Sequence, residues 1–456
     1  MRGSRDGNRP ARRTVGVANA AAALLMPLLL LAGCQEPAPP PDVILITLDT
    51  TRADRLGCYG YFRDTTPNLD RLAARSHLFE NAYAHMSTTL PAHVSMLTAT
   101  HTVRHGIRGN LSSFEVAWQD NPEIRIAGTI FSELGYVTQG FVSTAPLKRI
   151  TGVATGFDGW REPEGNECVA SETTEAVLAW LETAPAEPLF LWIHYFDPHD
   201  RYSPPPPFNT LYPMGEEIRN YLVENRFTNP DHRQIQTINN QYDGEMRFMD
   251  EQIGRVLDKL EELKRFDSAA IVVAGDHGEG MGQHDWVGHG PLNREQLQVP
   301  FLVKLPGMNP SGPRRSQRLT AMVDVLPTLI EELELPVDQA VLDQFEGRNA
   351  LADPGWDFVF SERTHGRPEK LGEGLQFALT GPDWKYLHST HAPDQLFDLR
   401  TDPWEQVNVV DRHPELADSL RARILAEVAD ARSFHADVDD LPAEYVEELR
   451  ALGYVD

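Results

Sequence analysis

Cysteine is scarce in the 456-residue chain, with only Cys34, Cys58 and Cys168 present, too few for a disulfide scaffold or a cysteine-rich zinc module. Positive charge is also short. Forty-one Lys and Arg stand against 67 Asp and Glu, and the resulting net charge of -26 repels a phosphate backbone and excludes non-specific nucleic-acid binding. Internal repeats and long low-complexity tracts are lacking. With 41% apolar and 24% charged residues, the composition is that of a globular protein, which excludes wholesale disorder, collagen-like repeats and a polytopic membrane protein. At roughly 150 residues per domain the length allows about two to three units, or one large α/β domain with an appendage.

Arg2, Arg5, Arg9, Arg12 and Arg13 precede an apolar run from Val15 to Leu31, which ends in Leu31-Ala32-Gly33-Cys34. A basic start, an apolar stretch and small residues before a cut site describe a secretory signal. The segment resembles the bacterial lipobox, in which the cysteine is lipidated and the leader removed just before it. Residues 1–33 are therefore expected to be a signal peptide and 34–41 a lipid-anchored proline-rich spacer. Gln35 resembles outer-membrane sorting in Gram-negative lipoproteins, so the expected location is the periplasmic face of that membrane. In such a compartment Cys58 and Cys168 are free to pair or not; the sequence leaves this open.

Val43 to Leu48 is an almost unbroken apolar run, the pattern of a strand buried on both faces of a parallel sheet. Val137 to Val142, Leu189 to Phe196, Ala270 to Ala274 and Phe301 to Leu305 read the same way. Helices alternate with them. Thr66-Pro67 opens one, Ile126 to Gly135 spans another, and Gln241 to Leu263 carries Met246, Met249, Ile253, Val256, Leu257 and Leu260 at helical spacing. This order predicts an α/β fold: a large, mostly parallel sheet covered by helices on both faces, over 42–355. After that, Phe377 to Leu379 and Trp384 to His388 suggest a small antiparallel sheet. Helices containing Leu416, Leu420, Ile424 and Val428, and then Ala443 to Leu452, complete a smaller C-terminal α+β subdomain over 356–456.

Ligands of such sheets bind beyond the carboxyl ends of the strands. Three strand ends carry acidic or imidazole groups: Asp49, then Asp197-Pro198-His199-Asp200, then Asp276-His277 followed by His284 and His289. Each alone is commonly a cap or a solvated turn; jointly they favour a cation site, and a mixed oxygen and nitrogen set suits zinc, manganese or iron better than calcium. Between them lies Thr88-Thr89-Leu90-Pro91-Ala92-His93. Pro91 fits the first turn of a helix, placing Thr89 just before its N-terminus, where free amides favour an anion. A hydroxyl there is a cap or a nucleophile, and metal coordination would activate it.

The strings PDVILITLDTTRADRLGCYG, TTPNLDRLAA, LPAHVSMLTATHTVRHG, FLWIHYFDPHD, AGDHGEGMGQHDWVGHG, VPFLVKLPG and LFDLRTDPWEQVNVV follow the order found in the sulfatase family, and over Pro41 to Asp411 the chain resembles that branch of the alkaline phosphatase superfamily. The resemblance implies a metal set of Asp49, Thr89, Asp276 and His277. It places Thr89 where sulfatases mature a cysteine or serine to formylglycine, makes His199 a substrate contact, and puts His289 at the place of a substrate-binding lysine. His93, His199 and His289 are the expected substrate-binding residues, and Thr89, His199 and His289 the catalytic ones. Asp197, His199, His284 and His289 have the composition of a second metal site, and the number of ions stays open.

Three departures matter. Thr50 stands where a second aspartate is usual. The maturation motif, Cys or Ser-x-Pro-x-Arg, is replaced by Thr89-Leu90-Pro91-Ala92-His93, and a Gly-Lys-x-His-x-Gly segment has no counterpart near Gln139 to Thr144. Formylglycine is not expected, and a threonine ester needs a second in-line attack by water, as phosphoryl-enzymes undergo. The expected activity is hydrolysis of phosphate- or sulfate-type esters through Thr89, with a lean to phosphate mono- or diesters or phosphonates. The alternatives are a true sulfuric ester hydrolase, a lipid or glycan headgroup transferase, or an inactive domain that binds anionic glycans. Substrates would be small-molecule, glycan or lipid esters; oligomeric state is unreadable.

Overall fold

Every residue of strand β1 (Val43–Leu48) is buried, as an apolar run with no polar side to offer requires. The computed structural model describes residues 39–110, 124–212, 232–363, 375–429 and 443–451. Cys34 and its leader fall outside them, and among the described residues no helix is long and apolar enough to cross a membrane. The other strands are β2 (His77–Tyr83), β3 (Val137–Phe141), β4 (Gly159–Arg161), β5 (Leu189–Tyr195), β6 (Ala270–Gly275), β7 (Gly280–Met281), β8 (Val287–Gly288), β9 (Phe301–Lys304), β10 (Arg314–Ala321), β11 (Val359–Arg363), β12 (Gln376–Thr380), β13 (Trp384–Ser389) and β14 (Gln395–Asp398).

Eight of these form one sheet in the order β10-β2-β9-β6-β1-β5-β3-β4. It is mixed but mostly parallel, as expected: β1 runs parallel to β5 and β6, and β9 alone runs antiparallel to its neighbours β2 and β6. Among the described residues the helices of seven residues or more are α1 (Pro67–Ala73), α2 (Thr89–Thr98), α3 (Ala127–Glu133), α4 (Ala170–Leu181), α5 (His232–Glu262), α6 (Val325–Glu332), α7 (Pro414–Glu427) and α8 (Ala443–Ala451). Alternation along β1 divides the core between the two faces. Val43 and Leu45 pack in one cluster with Leu90, Val94, Phe131 and Leu329; Ile44, Ile46 and Leu48 pack in the other with Leu69, Val177, Met249 and Ile253. Each such side chain contributes roughly 1.5–3 kcal/mol by leaving water.

Sequence and structure part at several places. Helix α5 begins at His232, well before Gln241, because Ile238 and Tyr242 extend its buried stripe through a stretch whose Gln and Asn residues hide the pattern. Strand β10 is an edge strand whose first residues are largely exposed, so Arg314-Arg315-Ser316-Gln317-Arg318 shows no apolar run. The antiparallel sheet β11-β12-β13-β14 packs against α7, where Leu420 and Ile424 join Phe377, Leu379 and Tyr386. Two buried ion pairs hold it in place: Arg108 with Glu362 at 2.8 Å, and Lys385 with Glu405 at 2.9 Å. Cys58 and Cys168 are buried free thiols, which answers the pairing question left by the sequence.

Candidate active site

Because β1 and β6 pair in parallel register with Leu48 opposite Gly275, the residues that follow them, Asp49 and Asp276, arrive side by side. The backbone fixes both. Asp49 N–H donates to Tyr195 O at 2.9 Å and Asp276 N–H to Leu48 O at 3.2 Å. Asp49, Asp276 and His277 present donor atoms that all lie within 4.8 Å of one another, and all three residues are buried. His277 Nε2 is 3.5 Å from Asp276 Oδ2 and 3.8 Å from Asp49 Oδ1. Burial raises the pKa of both carboxyls, and the neighbouring Asp49 charge raises Asp276 further. Two carboxylates held together out of water call for a cation. Thr50 cannot stand in for a third carboxylate, since its hydroxyl donates to Pro198 O at 3.1 Å and it sits at a left-handed φ of 46°.

Proton bookkeeping on the imidazoles points the same way. His277 Nδ1 contacts Gly278 O at 3.0 Å and His93 Nδ1 contacts Thr89 O at 2.8 Å. Carbonyls only accept, so Nδ1 carries the proton in both rings and each Nε2 is a bare lone pair. Burial keeps both rings neutral by lowering their pKa. His277 Nε2, both oxygens of Asp49 and Asp276 Oδ2 are buried without a hydrogen-bond partner. Such a concentration of orphaned acceptors fits a divalent cation of the imidazole-tolerant transition-metal kind.

Thr89 is the first residue of α2, with Thr88 as N-cap and no capping hydrogen bond from the Thr88 side chain. The helix therefore takes in Thr89 as its first residue, where the sequence places Thr89 just before the N-terminus. The Thr89 hydroxyl is buried and makes no hydrogen bond of ordinary geometry, yet lies near enough to Asp49 to lower its pKa slightly. A cap would show a bond to a backbone N–H; this hydroxyl has none. His93, one turn further along, is fully buried 3.6 Å from Asp276 Oδ2, so it lies within the site beside a carboxylate.

His199 and His289 meet at 3.3 Å, Nε2 to Nε2. Their Nδ1 atoms contact Asp200 O at 2.5 Å and Ser87 O at 3.0 Å, so Nδ1 carries the proton in both rings and the two Nε2 atoms face each other. The His289 ring lies 4.7 Å from that of His277, which places the pair against the carboxylate set. The four-residue second metal site does not assemble. Asp197 Oδ2 instead accepts from Ala170 N–H at the start of α4, 2.9 Å away, and burial pushes its pKa up to about 7. His284 has both nitrogens engaged, Nδ1 with Glu295 at 2.8 Å and Nε2 with Glu405 O and Gln406 Nε2, each at 3.2 Å, and the Glu295 bond raises its pKa. Both nitrogens of this imidazole are thus taken by neighbouring protein groups, which leaves neither for a metal. Sequence reasoning missed His194, on β5, whose Nε2 lies 3.4 Å from Asp49 Oδ2; the one signal is an imidazole inside the otherwise apolar Leu189 to Phe196 run.

Fold and site together define an ester hydrolase of the alkaline phosphatase superfamily. The sulfatase family model matches residues 41–334, and the chain belongs to that family. An arylsulfatase of Clostridium perfringens is 25% identical over 89% of this chain and 98% of its own; a multifunctional alkaline phosphatase superfamily protein of Trinickia caryophylli is 23% identical over 81% and 91%. Among solved structures, a phosphonate monoester hydrolase of Agrobacterium radiobacter superposes with a TM-score of 0.71, at 21% identity, over 85% of this chain and 95% of its own.

Proposed function

We propose that the protein hydrolyses phosphate-type esters, phosphate mono- or diesters or phosphonates, through a covalent intermediate on Thr89. The observation that carries this reading is the unpartnered Thr89 hydroxyl, buried at a helix start against the Asp49 carboxylate. Asp49, Asp276 and His277 would hold a divalent cation, zinc, manganese or iron in preference to calcium, next to Thr89; when bound it lowers the hydroxyl pKa and offsets charge on the transferred group. In the first step the Thr89 oxygen, ionised beforehand by loss of its proton to solvent at the lowered pKa, bonds to phosphorus, the bond to the leaving oxygen breaks, and that oxygen takes a proton from the His199 and His289 pair; the second step restores Thr89 in the same ionised form. In the second, water attacks in line, gives its proton to the same pair, and the bond to Thr89 breaks. A threonine ester has no internal route of collapse to an aldehyde, which is why water must attack the transferred group itself.

Sulfuric ester hydrolysis is the second reading, favoured by the C. perfringens arylsulfatase that matches nearly the whole chain. The test is turnover of nitrophenyl phosphate, phosphodiester, phosphonate and sulfate esters by purified protein with added Zn, Mn, Fe or Ca. Phosphate-type turnover at least tenfold above sulfate supports the proposal. Turnover of sulfate alone assigns the second reading. Saturable binding of the anions without any turnover makes the domain an inactive binder.

A further inference from the structure

His194 gains a role from the reading of Asp49, Asp276 and His277 as a metal site, on which the inference below rests. His194 lies one residue before the carboxyl end of the apolar strand β5 and is fully buried. Its Nδ1 is 3.0 Å from Ser143 Oγ, and the same hydroxyl donates to the His194 carbonyl oxygen at 2.6 Å. A serine hydroxyl has one proton. Because the carbonyl can only accept, that proton is committed to it, and Ser143 Oγ must accept from the ring. The His194 proton therefore sits on Nδ1, and Nε2 is a bare lone pair.

That lone pair faces Asp49 Oδ2 at 3.4 Å, and neither atom has a hydrogen-bond partner among the described residues. Two buried acceptors turned toward each other repel unless something positive lies between them. The other Asp49 oxygen, Oδ1, faces the bare Nε2 of His277 at 3.8 Å, so the carboxylate is flanked by an imidazole lone pair on each side. Meanwhile Thr50, next in the chain to Asp49, is turned to Pro198 O and supplies no charge to the cation. We infer that His194 is a further protein ligand of the metal, entering on the Oδ2 side of Asp49, with Ser143 fixing the tautomer that makes it one. His194 is outside the three residues whose donor atoms all lie within 4.8 Å of one another and meets them through Asp49. The site would then offer two imidazoles and two carboxylates, a donor set for zinc, manganese or iron.

X-ray absorption on the zinc-loaded full chain counts imidazoles directly and needs no turnover. Wild type should show two imidazoles on zinc, and His194→Gln should show one, with affinity by chelator competition lowered about 100-fold. Ser143→Ala, which leaves the ring in place but frees its tautomer, should keep both imidazoles and bind zinc less tightly than wild type by about tenfold. An unchanged imidazole count in His194→Gln, with circular dichroism showing a folded protein, overturns the inference even if affinity falls. Asp276→Asn separates this from failure of the metal reading: undiminished zinc in that variant would refute the site itself, whereas zinc lost from Asp276→Asn and retained with the same imidazole count in His194→Gln would refute only the role of His194.

Discussion

Replacing Asp276 by asparagine probes the electrostatics of the site in two opposite directions. Without metal, the wild type holds two fully buried carboxyls whose pKa values are raised by burial and, for Asp276, by the charge of Asp49. Asparagine keeps the shape and the acceptor that receives Thr50 N–H at 3.2 Å and His277 N–H at 2.6 Å, while removing one charge. Metal-free Asp276→Asn should therefore be more stable to urea than metal-free wild type at pH 8. With metal the order should reverse. An ion at about a thousand times its Kd adds about 4 kcal/mol to the folded state, and the variant, lacking a charged ligand, should gain little of it. The assay is urea unfolding of both proteins in chelator and in excess zinc or manganese. Equal metal-dependent stabilisation of the two would refute the placement of the cation, and a metal-free variant less stable than wild type would refute the claim that the carboxyls repel.

Away from the site, burial pushes His85 down to about 4 from an ordinary 6.5. Its folded pKa is depressed, so as pH falls below 6.5 the unfolded chain takes the proton first and stability is lost, through the window from 6.5 to 4. Between pH 7 and pH 5 this one residue should cost about 2 kcal/mol; His85→Gln should lose that much less stability than wild type over the same interval, measured by urea unfolding at both values. For the leader, Cys34→Ser should accumulate an unprocessed precursor in the producing cell, whereas wild-type intact mass should show residues 1–33 removed and lipid on Cys34; wild type retaining its leader would contradict the lipoprotein proposal.

Much of this was readable from sequence because burial leaves a strong mark. The run Val43 to Leu48 announces a central strand, and a charged residue directly after such a run sits at a sheet's ligand-binding edge, so Asp49 and Asp276 were found together. Thr89 was visible through Pro91 and the family motif. His284 was misread because what engages it, Glu295 and the Glu405 backbone, includes a partner 121 residues away, and composition alone cannot tell a metal ligand from an imidazole gripped at both nitrogens. His194 was hidden for the opposite reason: it lies inside β5, one residue short of its carboxyl end, and on a strand buried on both faces every side chain is inside, so an imidazole there reads as core.

The central claim is that Thr89 itself becomes covalently linked to the transferred group. Its most direct test is rapid acid quench of the metal-loaded wild-type enzyme during turnover of the best ester in the panel, followed by peptide mass spectrometry. The account predicts a phosphoryl or sulfuryl adduct on Thr89 that is absent from Thr89→Ala, a variant whose turnover should fall by about 10³-fold or more, equivalent to ~4 kcal/mol of barrier, while its metal content stays within about tenfold of wild type. Undiminished turnover by Thr89→Ala, with no adduct on Thr89 in the wild type, would contradict it and leave direct attack by water as the mechanism.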